Sequence, residues 1–524
     1  MKNAIELGAN ELRERLGAIV GDKHVFVDGA EVELRSEDIV PMSARCAAVV
    51  YPDSVEQVAA LVELANELKM PLWPSSRGNN WGYGAAMALR PGALTMVLER
   101  MNRILEVDPE LGYAVIEPGV TYRQLRQYLD EHHIDLWIDC TDSTADGSVI
   151  GNALDRGQGW TPYGDHFGNL CGMEVVLPTG RVCRPGMRPP GCNTEHTHNW
   201  GMGPYLDGMF SQSNLGVVTQ AGIWLMPAPE HTAMFVLELD SDADLFRLID
   251  TWRGLTLRNI HVSHGHIANH LSTLSVRQPY PYELREGTHI PQPAVDRYCS
   301  EQGIARWTAF GALYGSPDRV RVDWAEVEKA FGPLGTLSLY TDKDTADIPK
   351  NLQRVWDMVR GIPNPSFLRT AYFKGGRRDQ GMQDPVREGG GLIWFDCIAP
   401  ASGAAAERLV QIIAAEYDKH GFEFCGAFIP VNARTHILLT PIHYNSADQD
   451  EADRALQAYH AVAQATWAAG YAQNRAGLQG AEAFSDLEPG LKTLTGPIKA
   501  ALDPNNILAP GRYGINAVHE GETR

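Results

Sequence analysis

Residues 148 to 180 read SVIGNALDRGQGWTPYGDHFGNLCGMEVVLPTG, and this stretch decides how the chain is read. Glycines at 151, 157, 159, 164, 168 and 172 let a backbone press closely against something flat or phosphorylated. A Met-Glu-Val-Val-Leu strand and a Pro-Thr-Gly turn close the block. Alone, such a stretch also allows the lesser reading of a mere glycine-rich connector. A second block upstream, PLWPSSRGNNWGYG (Pro71 to Gly84), is a strand end entering a Ser/Gly/Asn loop that lacks any Gly-Lys-Ser/Thr. Its backbone N–H groups suit an anion nest for a pyrophosphate.

Around these blocks helices and strands alternate. Ser54-Val-Glu-Gln57 is a capping box, and Val55, Val58, Leu61, Val62 and Ala65 follow at helical spacing. Leu68 to Trp73 then reads as a short strand delivering the loop, and GALTMVLERM and YAVIEPGV as further strands. The alternation predicts an α/β or α+β domain up to about residue 228. MPAPEH (Met226 to His231) reads as a linker. Beyond it, AMFVLELDSDADLFRLIDTW and LIWFDCIAPASGAAAERLVQIIAAEY each read as strand then helix, predicting a sheet covered by helices on one face.

Composition sets limits. A chain of 524 residues exceeds one compact core, and 44% hydrophobic with 21% charged residues is ordinary for a globular protein. The formal charge of −20 argues against a nucleic-acid partner. No apolar run approaches the roughly 18 residues of a membrane span, and the N-terminus has no signal-peptide core. Eight cysteines without a CxxC pair read as reduced thiols. Cys192, His196 and His198 have zinc-type donors but no evident fourth ligand, so no metal is expected.

Together, the two blocks resemble the vanillyl-alcohol oxidase/p-cresol methylhydroxylase family of FAD enzymes. PDSVEQV at Pro52, EPGVTY at Glu117, LWIDCTD at Leu136, GPYLDGMFSQSNLGVVT at Gly203 and the closing LDPNNILAPGRYG at Leu502 carry the same resemblance. It implies an α+β fold: a two-part FAD-binding domain, residues 1–228 and 471–524, with an inserted α+β cap domain, residues 229–470. It also implies FAD, with Ser75, Ser76, Arg77, Gly78, Asn79 and Asn80 forming the diphosphate loop. Gly147, Ser148, Gly151, Asn152, Gly164 and Val217 would line the cofactor, and Arg512 takes the basic position of the closing turn.

For substrate, the resemblance implies a para-alkyl phenol or related aromatic. Ionising the phenol drives a hydride from the benzylic carbon to the flavin, giving a quinone methide that adds water or loses a proton. Tyr83 and Arg475 match residues that stabilise the phenolate. Asp142 aligns with the carboxylate beside the reactive carbon, with Asp139 and Asp146 as competitors, and His436 matches a cap histidine near the site. Two departures stand out. Asn474 replaces the family's tyrosine before the arginine, and Leu392 falls where the oxidases carry a flavin-linked histidine. Tyr372 is then the remaining candidate for a tyrosyl link, and non-covalent FAD is expected. The expected electron acceptor is molecular oxygen or a c-type cytochrome. A homo-oligomer is expected, in the cytoplasm, or in the periplasm if a cytochrome is the partner. The alternatives are a flavin-binding protein without catalysis and a flavin oxidase of a non-phenolic substrate.

Overall fold

The computed structural model describes residues 8–186, 191–260, 262–343, 345–346, 348–378, 384–487 and 489–519. Its first long internal helix starts at the capping signal. Ser54 Oγ accepts the Gln57 N–H at 3.3 Å, and the Gln57 side chain reaches back to the Asp53 N–H at 2.9 Å. The helix runs Val55–Leu68 and overruns the strand expected from Leu68, because its buried face continues through Leu64, Ala65 and Leu68. Lys69, at φ 49°, ends it in the left-handed region. The strand is Leu72–Ser75, which puts the Ser/Gly/Asn loop at its tip.

Three sheets organise the chain. In the first, Ala48–Val50 and Leu72–Ser75 flank Leu94–Val97 in parallel, with Val25–Phe26 antiparallel at the edge. The second is antiparallel, in the order Ile104–Asp108, Tyr113–Ile116, Val217–Trp224, Leu170–Val176, Val182–Cys183. The third has seven antiparallel strands, all between His231 and His443. Its helical layer is Asp242–Leu257, Pro317–Phe331, Gly403–Lys419 and Gln449–Ala468. Period-two alternation sorts its side chains. Phe235, Leu237, Ile393, Phe395 and Leu438 pack under the helices, whereas Met234, Val236, Phe310 and Ala312 join the core of the second sheet.

The C-terminal segment returns to the first sheet. Leu72 donates its N–H to the Ile507 carbonyl at 2.7 Å and accepts from the Ala509 N–H at 2.8 Å. The buried Lys499 ammonium pins this return, donating to the Asn214 and Leu508 carbonyls at 2.7 Å each and pairing with Asp503. Asn214 adds hydrogen bonds to the carbonyls of Ala509 and Ile515. Both ends of the chain therefore build the ground on which the loop at 75–80 stands. Among the described residues, no helix is long and apolar enough to cross a membrane.

Candidate active site

The three sheets converge on one cavity of about 350 Å³. One part of its wall is the loop Ser75–Asn80. The loop's side chains face their neighbours: Asn79 donates to the Asp146 carbonyl at 3.2 Å and Asn80 to Asp155 at 2.6 Å. Among the described residues, none of the backbone N–H groups of residues 76 to 80 finds a protein acceptor. The Arg77 Nε is also buried without one. A row of free donors at a cavity wall is an anion cradle. Ser148 caps the short helix Val149–Leu154 beside it, its Oγ accepting the Gly151 N–H at 2.8 Å. A Cβ at Gly151 would meet Ser76 Oγ at 2.2 Å, so the glycine is what lets this helix touch the loop. Gly147, Asn152, Val217 and Arg512 line the same cavity. This donor set and close-approach geometry fit the diphosphate of a dinucleotide cofactor.

Farther along, Tyr83, Asn474 and Arg475 meet two acids. The Arg475 guanidinium lies 4.5 Å from the centre of the Tyr83 ring. It faces Asp396 at 3.5 Å and Asp155 at 3.9 Å. Asp396, 1% exposed, accepts the Arg475 N–H at 3.2 Å and the Asn474 side-chain amide at 3.1 Å. Burial raises the pKa of its carboxyl, and Arg475 works against that. Burial opposes the charge on Arg475, but Tyr83, Asp396 and Asp155 outweigh it and hold the guanidinium protonated. Burial likewise pushes the Tyr83 phenol well up. Its hydroxyl is buried and has no hydrogen-bond partner among the described residues. Asp155 also accepts from Tyr513 and lies 3.8 Å from Arg512. Arg475, Arg512, Asp155 and Asp396 thus form one charge network along the wall.

Asp142 occupies an aromatic stretch of the wall. Trp160 Nε1 donates to one of its oxygens, and His266 Nε2 lies 3.3 Å from the other. The Trp160 and His266 rings stack at 3.8 Å between centres and 13° between planes. The competing carboxylates are engaged elsewhere. Asp139 is buried among Trp160 N, Thr161 and His166, and Asp146 forms an ion pair with Arg123 at 2.8 Å.

Two expected residues fall outside the cavity. His436 pairs with Ala399 across the third sheet, and antiparallel partners share a face, so both turn toward the helices. Burial there lowers the His436 pKa to about 4. On the same strand Ile437, Leu439 and Pro441 line the cavity instead. Gly164 packs against the His264 ring, in a turn whose N–H bonds the Thr161 carbonyl. The glycine block as a whole serves tight protein packing more than a ligand. Of the seven glycines from 151 to 180, only Gly151 lines the cavity. His196 and Cys192 are engaged locally, with the Cys171 carbonyl and the Thr194 hydroxyl respectively.

Sequence reading missed Asp155, Asp396, Trp160, His266 and Arg354, all of which line the cavity. Asp155 sits inside the opening glycine block, and Asp396 is the one charge in the apolar strand Leu392–Pro400; both were findable. His266 and Arg354 carry no local signal.

Comparison with known proteins places the chain among flavoproteins. A family model described as an FAD binding domain matches residues 46–186. The chain is 32% identical to the 4-cresol dehydrogenase (hydroxylating) flavoprotein subunit of Pseudomonas putida, covering 97% of this chain and 96% of that protein. It is 33% identical to the 1'-carboxy-chondrochloren decarboxylase of Chondromyces crocatus, over 94% of this chain and 95% of that one. The crystal structure of p-cresol methylhydroxylase with substrate bound superposes with a TM-score of 0.90 at 32% identity, covering 97% of both chains. The chain is an FAD-dependent oxidoreductase. It belongs to the vanillyl-alcohol oxidase/p-cresol methylhydroxylase family.

Proposed function

We propose that this enzyme oxidises the benzylic carbon of a para-substituted phenol. The observation that carries the reading is the Tyr83 hydroxyl, buried without a partner beneath a permanently charged guanidinium. A buried hydroxyl left unpaired costs about 1–3 kcal/mol, which a ligand oxygen would recover. The substrate gives its phenolic proton to solvent as it binds; Tyr83 then donates to the phenolate oxygen and Arg475 stabilises its charge. Asp396 and Asp155 hold that guanidinium in place, and Asn474 holds Asp396. Electron density moving toward the para carbon then expels a hydride. FAD, when bound, supplies the acceptor for it. Asp142, oriented by Trp160 and His266, takes the proton released as the quinone methide adds water or loses a side-chain hydrogen.

The likeness to a 4-cresol dehydrogenase supports a phenol. The comparable likeness to a decarboxylase means that the fold alone does not set the fate of the side chain. Leu392 at the cavity wall and the engagement of the Tyr372 hydroxyl with Glu388 support non-covalent FAD. Acid precipitation should leave the yellow colour in the supernatant; colour in the washed pellet refutes this point. Mixing the purified holoenzyme anaerobically with 4-ethylphenol should bleach the flavin, and a panel of phenols that leaves it oxidised refutes the phenol reading. Readmitting oxygen, or adding a c-type cytochrome, then separates oxidase from dehydrogenase.

A further inference from the structure

A fourth arginine stands in the cavity wall, at the Asp142 end and apart from Arg77, Arg475 and Arg512, and the mechanism above does not use it. Arg354 lies with its guanidinium 5.4 Å from the centre of the Phe367 ring. Phe367 packs on Trp160 at 5.6 Å, and Trp160 donates to Asp142, so all four belong to one aromatic wall. The Arg354 Nε is buried with no hydrogen-bond partner. Among the described residues its guanidinium makes neither an ion pair nor a hydrogen bond. Two like charges accompany it, the exposed Arg277 and Arg369; among the described residues neither forms an ion pair, and Glu238 attracts Arg277 only from beyond ion-pair distance.

This arrangement runs against the rest of the molecule. A chain with a formal charge of −20 has acids to spare, yet leaves a guanidinium without one in its main cavity. Burial, with Arg277 and Arg369 adding to it, lowers the Arg354 pKa to about 10, which keeps it charged at neutral pH. Asp142 is the acid that acts on it, but both oxygens of Asp142 face Trp160 and His266. A partly buried cation without a counter-ion is unfavourable unless a ligand brings the anion. The planar fork of arginine matches a carboxylate in two parallel hydrogen bonds.

We propose that Arg354 binds a carboxylate on the para side chain of the substrate, with Arg277 and Arg369 drawing the anion in. The inference rests on the phenol reading of the Tyr83–Arg475 end and narrows it to phenols with an anionic side chain. The probes are 3-(4-hydroxyphenyl)propanoate and its neutral counterpart 4-propylphenol, titrated against the holoenzyme and used to reduce the flavin anaerobically. A charge-assisted pair should make the carboxylate bind about 10- to 100-fold more tightly in the parent enzyme. Arg354→Gln should abolish that ratio, and Arg354→Lys should keep part of it. The flavin absorbance of each variant reports that its site is intact. Equal affinity for the two probes in the parent enzyme overturns the inference even if no variant folds, as does a preference that survives in Arg354→Gln. If both phenols reduce the flavin without preference, only the carboxylate site falls. If neither binds, the phenol reading falls and this inference with it.

Discussion

Replacing Arg475 with alanine tests the charge network at its centre. At 3.5 Å from Asp396 and 3.9 Å from Asp155, the guanidinium gains about 4 kcal/mol of attraction from each at an effective dielectric near 20. Much of that offsets the cost of burying the three charges, so the net loss on truncation is smaller. Breaking a buried pair costs about 3–5 kcal/mol when the remaining charge stays ionised. Asp396 has a way out, because burial already raises its pKa and the arginine is what opposes the rise. In Arg475→Ala, Asp396 should therefore take up a proton, and the stability loss should fall at or below the low end of that range. Catalysis has no such escape. Losing a preorganised charge that acts on the phenolate should slow flavin reduction by about 10² to 10³. Stopped-flow reduction by 4-ethylphenol, measured beside thermal melting and flavin retention, separates the two effects. The double variant Arg475→Ala/Asp396→Asn should recover stability without recovering rate. A flavin-replete Arg475→Ala enzyme that reduces at the parental rate refutes the role. A double variant that regains the rate shows that the arginine merely neutralises Asp396.

Two further substitutions probe the same region. Tyr83→Phe removes a buried hydroxyl that has no protein partner while keeping the ring under Arg475. Flavin reduction should slow by about 10- to 100-fold while the melting temperature holds or rises; a clear fall in melting temperature would mean that the hydroxyl is structural. Asp38 accepts the N–H groups of Gly82 at 3.0 Å and Gly84 at 2.8 Å, which anchors the Tyr83 turn, and burial raises its pKa from 3.8 to about 7. The folded state thus holds this proton more tightly than the unfolded chain. Its contribution is fully present below the unfolded pKa and is lost as pH rises through the folded one. Asp38→Asn should remove that slope, so the stability difference between variant and parent should change by about 1.4 kcal/mol per pH unit between pH 4 and 7. Denaturation curves that stay parallel across this window would place the Asp38 titration elsewhere.

The cofactor end of the site was legible because its determinants are local. A nest of N–H groups needs only a strand end and a short run of small and polar residues, so PSSRGNN announces itself. The APGR turn is equally compact. The glycines of the 148–180 block are a weaker guide, because close approach serves protein neighbours as well as a ligand. A Cβ at Gly157 would strike Asn152, one at Gly159 would strike Asp139, and one at Gly164 would strike His264, all protein neighbours brought close by folding.

The substrate end resisted for a different reason. Period-two patterning in THILLTPIH and LIWFDCIAP identifies strands, but which parity faces the cavity depends on the sheet they join. Motif position points His436 toward the site, but its pairing with Ala399 turns it to the helical side. The same sheet turns Leu392, Trp394 and Asp396 the other way, and the lone acid in that run was the marker of the cavity-facing parity. A buried aspartate needs a counter-ion, and two of its neighbours were in plain view as Asn474 and Arg475. With Asp396 paired to Arg475, Asn474 is a support for the carboxylate, and restoring the family's tyrosine should lower activity. Asn474→Tyr removes the 3.1 Å hydrogen bond to Asp396 and crowds the arginine, so flavin reduction should slow with every phenol tried. Faster reduction of small 4-alkylphenols in that variant would return Asn474 to the substrate and break the chain of support from Asn474 through Asp396 to Arg475.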